Sequence, residues 1–109
     1  MDLFSAYAAT TPAEVTFDGL VSSKPRYFFG TRTGCEHETF GVQTAAGPVQ
    51  IVDNVGIAPR VAVQPGDRVE VRGEMVHDPG RAPVVHWTHH DPQGRHTGGF
   101  IQLRGRVYA

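Results

Sequence analysis

The stretch PGDRVEVRGEMVHDPG, residues 65–80, constrains the fold more than any other part of this chain. Val69, Val71 and Gly73 fall on one side of an extended strand, and Arg68, Glu70 and Arg72 fall on the other. Pro65-Gly66 and Pro79-Gly80 bound it as turns. The same grammar recurs along the chain. EVTFDGLVSS alternates through Val15 and Phe17, and Gly19 predicts a bulge that shifts the phase of a bent strand. ETFGVQT and GPVQIVD flank Ala45-Ala46-Gly47, which predicts a hairpin. APVVHWTHH and GGFIQLRGRVYA supply two further strand regions. Between GPVQIVD and the GDRVEVRG strand, NVGIAPRVAVQ holds at most a helical turn, because Pro59 lacks an amide donor and restricts Ala58.

A bent first strand, a hairpin, a short connector and then the GDRVEVRG strand is the order of an OB-like barrel. The fold expected is therefore all-β, a small OB-like barrel of five or six strands, with an SH3-like barrel or a small sandwich as the competitor. Thirteen glycines and eight prolines in 109 residues agree with many turns between short strands. Before the barrel, Leu3, Phe4, Tyr7 and Ala8 share a helical face behind Asp2, so residues 1–14 read as a short helical extension and 15–109 as the barrel domain.

Several classes are disfavoured. No segment approaches the roughly 20 apolar residues of a membrane helix. A formal net charge of −1 argues against a DNA-coating basic protein, and only Lys24 among the ten cationic residues is a lysine. The start lacks the basic and long apolar regions of an intact signal peptide. Cys35 is alone and forms no internal disulfide.

Chemistry concentrates in VVHWTHHDPQGRH, residues 84–96, which carries four of the six histidines: His86, His89, His90 and His96. In a straight strand His86 and His90 lie about 13 Å apart, too far to share an ion whose ligands sit about 2.1 Å away. Convergence requires the strand to end near Thr88 and HHDPQG to fold back, which Asp91-Pro92 and Gly94 favour. Folded so, His86, His90, Asp91 and His96, with His37 from a neighbouring strand, form a candidate site for a divalent metal, Zn²⁺, Mn²⁺ or Mg²⁺. His86, His89, His90 and Asp91 are the candidate acid–base groups, with Arg60 and Arg95 to stabilise phosphate charge. The plainer alternatives are a core Trp87, a half-buried His86 or His89 bonded to backbone or to Asp91, an Asp91 that caps its own turn, and an Arg60 paired with Asp53 or Asp91. His77, in the VHDPG turn, reads as surface.

A second candidate surface is SSKPRYFFGTR, where Lys24, Arg26 and Arg32 interleave with Tyr27, Phe28 and Phe29. Between the first two barrel strands, such residues form an edge of oligonucleotide grooves. The alternative places Phe28 in the core as a continuation of the first strand.

DNVGIAPRV, GDRVEVRGEM, HWTHHDPQGRHTGGFI and the terminal VYA resemble the bacterial domain-of-unknown-function 3465 family, over roughly residues 15–108. The resemblance implies a small OB-like protein, often exported, and does not define a reaction. It also implies a histidine before Asn54, where this chain has Asp53. The function expected is a nuclease-like phosphodiester hydrolase, metal-assisted or histidine-dependent. The alternatives are a non-catalytic OB-like module that binds nucleic acid or another ligand, and a metal-binding accessory domain.

Overall fold

A computed structural model describes residues 12–95 and 97–109. They form eight strands: β1 (Ala13–Val21), β2 (Arg26–Gly30), β3 (Cys35–Thr44), β4 (Gly47–Asn54), β5 (Arg68–Val76), β6 (Val84–His86), β7 (Phe100–Leu103) and β8 (Arg106–Tyr108). The helix expected over the first residues lies outside the described part. Residues 13 and 14, expected in that extension, already belong to β1. No helix among the described residues is long and apolar enough to cross a membrane.

The sheet runs β1-β3-β4-β6-β5, and β1 pairs again with β5, so five strands close into a barrel. All these pairings are antiparallel except β4 with β6. This closed, mixed ladder is the expected OB-like barrel. The fifth strand of the closure is in two pieces. β6 pairs with Glu74–Val76 of β5, and β7 pairs with Val69–Arg72 of the same strand. Residues 87–95 and 97–99 lie outside the sheet between those pieces and carry much of the histidine-rich segment.

Most inward apolar positions of the barrel strands are β-branched or aromatic, as a pleated half-buried surface favours. Val15, Phe40, Val42, Ile51, Val69, Val71, Val85, Ile101 and Leu103 form the core with Met75. Burying each such side chain contributes roughly 1.5–3 kcal/mol. The connector opens on one turn, in which the Ile57 and Ala58 amides donate to the Asn54 carbonyl, as the proline limit allows, and then adds Val61 and Val63 to that core.

Two expectations need correction. Gly19 does not shift the phase of β1: the pairing with β5 runs unbroken from Ala13↔Met75 to Leu20↔Arg68. Leu20 accordingly faces out, 44 % exposed. Glycine is needed there for closeness, since a Cβ would stand 2.5 Å from the Gln43 carbonyl oxygen. Trp87 is not a core residue. It is only half-buried and has a left-handed backbone, φ +57°.

Candidate functional site

Convergence of the histidines depends on where the chain turns. β6 ends at His86, and the reversal occurs at Trp87, one residue earlier than the sequence suggested. A left-handed tryptophan costs of order 1–2 kcal/mol and persists only where its surroundings hold it. Three contacts do so. Thr88 donates its hydroxyl hydrogen to Oδ1 of Asp53 at 2.8 Å. The Gly99 amide donates to the His89 carbonyl at 2.8 Å and closes the base of the loop. At Gly73 and Gly99 the backbones approach so closely that a Cβ at either would stand 2.5 Å from a carbonyl oxygen, of His86 and of Arg72 respectively.

Under this loop lies a cavity of about 320 Å³. Its walls include Thr33, His37, Asn54, His86, Trp87 and His89. Strand parity explains the grouping. His37 pairs with Asn54 across β3 and β4, so both face outward, away from Phe40 and Ile51. His86 occupies the outward position of β6, beside the inward Val85. The loop then folds Trp87 and His89 back over that outer face, with their rings 5.3 Å apart between centroids.

The environment sets the proton arrangement of the rings. Nδ1 of His89 lies 2.7 Å from the His90 carbonyl oxygen. A carbonyl only accepts, so Nδ1 carries the hydrogen, and Nε2 of the neutral ring presents a lone pair. Burial lowers the pKa of His89, outweighing the carbonyl bond and Asp91, which raise it. Burial also lowers that of His86, against the raising influence of Glu74, its register partner on β5. Both rings are therefore held toward the neutral form. His37 stacks on Phe28, with centroids 5.2 Å apart and planes 13° apart, and its Nδ1 is buried without a partner.

The inward face at the same barrel end holds two carboxyls, Glu38 and Asp53, directly paired across β3 and β4 and both fully buried. Burial pushes the Asp53 pKa up to about 7, with Glu38 adding to the rise and the Thr88 bond opposing it. Oδ2 of Asp53 has no partner. Burial raises Glu38 as well, although the Val61 amide (2.8 Å) and the Tyr27 hydroxyl (3.2 Å) donate to it. This pair was not singled out from the sequence. The signal was present: Glu38 and Asp53 share the parity of the core residues Phe40 and Ile51.

Other expected site residues do not join the cavity. His90 is exposed, and it is its carbonyl that orients His89. Asp91 caps its own turn: Oδ1 accepts from the Gln93 amide at 2.9 Å and Oδ2 from the Arg95 amide at 2.7 Å. The Arg95 side chain is exposed. Arg60 pairs with Glu36, rather than with Asp53 or Asp91, and lies over the Tyr27 ring. His77 meets the Arg81 carbonyl oxygen at 2.8 Å within its turn. His96 lies outside the described residues. Among those described, no three His, Cys, Asp or Glu side chains gather closely enough to hold a metal ion.

The barrel, its split fifth strand and its histidine loop all fall within residues 13–109, which match the family model described as protein of unknown function (DUF3465). The chain belongs to the DUF3465 family. No curated protein matches it. In this DUF3465 barrel Asp53 points into the barrel, away from the imidazoles of the outer cavity.

The basic and aromatic segment forms β2, which among the described residues is an edge strand paired with β3 alone. Tyr27, Phe28 and Phe29 are all exposed, at 41 %, 46 % and 67 %, so none of them enters the core. Parity divides the set. Arg26 and Phe28 face the same side as His37 and hence the cavity; Tyr27 and Phe29 face the side of Glu36 and Glu38. Lys24 lies before β2 beside Val63 and Gln64, and Arg32 sits in the exposed turn between β2 and β3.

Proposed function

We propose that the outer cavity is a histidine acid–base site that cleaves phosphodiesters of single-stranded nucleic acid. The observation carrying this reading is that His37, His86 and His89 share one cavity whose rim, through the Phe28–His37 stack, continues into an exposed aromatic strand. A lone pair on Nε2 of His89 suits a general base, and a second imidazole suits the reciprocal acid. The volume fits the usual range of ligand pockets, about 300–1,000 Å³. Phe28 offers a stacking platform, worth roughly 1–3 kcal/mol per base, and Arg26 a cation on the same face. Tyr27, Phe29 and Arg60 stand on the opposite face and play no part at the cavity in this reading.

Assistance by a divalent metal on the phosphate is a finer form of the same proposal, and activity with and without chelator distinguishes it. The test is cleavage of labelled single-stranded oligonucleotides by the purified chain and by His86→Ala and His89→Ala variants. Loss of cleavage with an unchanged melting temperature supports the reading. Salt-dependent binding without turnover would replace it with a binding module, which the exposure of Phe28 also favours.

A further inference from the structure

The walls of the cavity carry imidazoles, an amide and a hydroxyl, but among the described residues no lysine, arginine or carboxylate. A phosphodiester attacked by external water needs that nucleophile held and the charge on phosphorus met, commonly by metal ions or arginines. A ribonucleotide instead brings its own nucleophile. Its 2′-hydroxyl lies beside the phosphorus, and well-oriented intramolecular placement reaches effective molarities of about 10⁵–10⁸ M. What then remains for the protein is to accept one proton, deliver another and meet the charge on the phosphoryl oxygens, for which the wall offers two imidazoles and the Asn54 amide.

Resting on the phosphodiester-cleaving reading above, we infer that the substrate is single-stranded RNA, cut by its own 2′-hydroxyl with His89 as base and His86 as acid. The hydroxyl proton passes to Nε2 of His89 as the O2′–P bond forms. The P–O5′ bond breaks, and the departing O5′ takes a proton from the His86 imidazolium. The products are a 2′,3′-cyclic phosphate and a 5′-hydroxyl end, and proton exchange with water resets both rings. The roles follow from the surroundings. His89 has Nδ1 committed to a carbonyl, which leaves Nε2 as its acceptor. His86 faces Glu74, and an incoming phosphate adds a second negative charge; both favour the imidazolium against the burial that holds the free ring neutral. Phe28 and Arg26, on the cavity's side of β2, suit an unstacked base and its backbone.

The test uses the full chain with a 5′-labelled single-stranded RNA, the DNA of the same sequence, and the same RNA 2′-O-methylated throughout. The expected result is cleavage of the unmodified RNA alone, with chelator present, leaving 2′,3′-cyclic phosphate ends. His86→Ala and His89→Ala should each slow it about 10²–10⁴-fold. His86→Gln and His89→Gln serve where an alanine variant does not fold. Cleavage of the DNA or methylated RNA within tenfold of the RNA rate, products bearing 5′-phosphates, or a strict metal requirement would overturn the RNA inference and leave the phosphodiester reading standing. No cleavage of any substrate, or cleavage undiminished in the histidine variants, would overturn both.

Discussion

The hydroxyl of Thr88 donates to Oδ1 of Asp53 across 2.8 Å, and both side chains are fully buried. This bond joins the loop that carries Trp87 and His89 to β4, whose Asn54 forms the opposite wall of the cavity. Replacing Thr88 by Val keeps the shape and removes the donor, leaving the Asp53 carboxyl without its side-chain partner. The expected cost is about 1–3 kcal/mol in denaturant unfolding. Hydrogen exchange at the Gly99 amide, which closes the loop on the His89 carbonyl, should quicken in the same variant. Thr88→Ser, which keeps the hydroxyl, should restore both measurements most of the way.

Asp53→Asn should stabilise the protein, by an amount that depends on pH. The folded carboxyl has a pKa of about 7 against an ordinary 3.8. As pH rises from about 4 to 7 the unfolded chain releases this proton while the folded chain keeps it, so the wild type loses stability across that window. A displacement of this size corresponds to on the order of 4 kcal/mol when fully expressed. Asparagine never ionises and still offers an acceptor to Thr88. The gain in melting temperature should grow from pH 4 to pH 7 and be flat above. A gain independent of pH would contradict the assignment.

His86 and His89 act with the opposite sign. Their pKa values are lowered by burial, so the unfolded chain binds protons that the folded rings resist. Stability should therefore fall as pH drops below about 6.5, the ordinary histidine value, and stop falling once the folded rings are themselves protonated. Glutamine at either position should reduce this acid-side loss. Melting curves of His86→Gln and His89→Gln between pH 5 and 8 would check it.

Gly99→Ala should be among the most damaging single changes. Its Cβ would collide with the carbonyl oxygens of Trp87 and Arg72, both backbone atoms that cannot swing aside. A loss of about 1–3 kcal/mol or more is expected. Alanine at Gly94 also carries a cost, because the backbone there is left-handed (φ +66°), but nothing lies within 4 Å of its Cβ. The difference between the two in denaturant unfolding measures the close approach that lets the loop leave the sheet.

Phe28→Ala should weaken binding of single-stranded nucleic acid by about 1–3 kcal/mol, roughly 5- to 150-fold, with little change in stability because the ring is 46 % exposed. Phe29→Ala, on the opposite face of β2, should leave that binding nearly unchanged. Fluorescence titrations of both variants with a labelled oligonucleotide compare the two faces directly.

Alternation and turn residues were enough for an all-β chain and favoured the OB-like barrel that the structure shows over an SH3-like barrel or a sandwich. The period-2 pattern of Val69, Val71 and Gly73, the Ala45-Ala46 hairpin and the proline-limited connector mark out the strands and their turns locally, and a closed barrel buries their inward faces. The same local reading placed six histidines without their partners. That His37 and His86 would meet depends on β3, β4 and β6 becoming neighbours, a contact between residues far apart in sequence. That Asp91 would cap its own turn, and that Arg60 would take Glu36, was decided by competition among nearby partners. Most of all, the division of the fifth strand around residues 87–99 follows from close backbone approach at Gly73 and Gly99. A one-dimensional pattern records which face a residue takes; which strand lies across from it is settled only when the sheet closes.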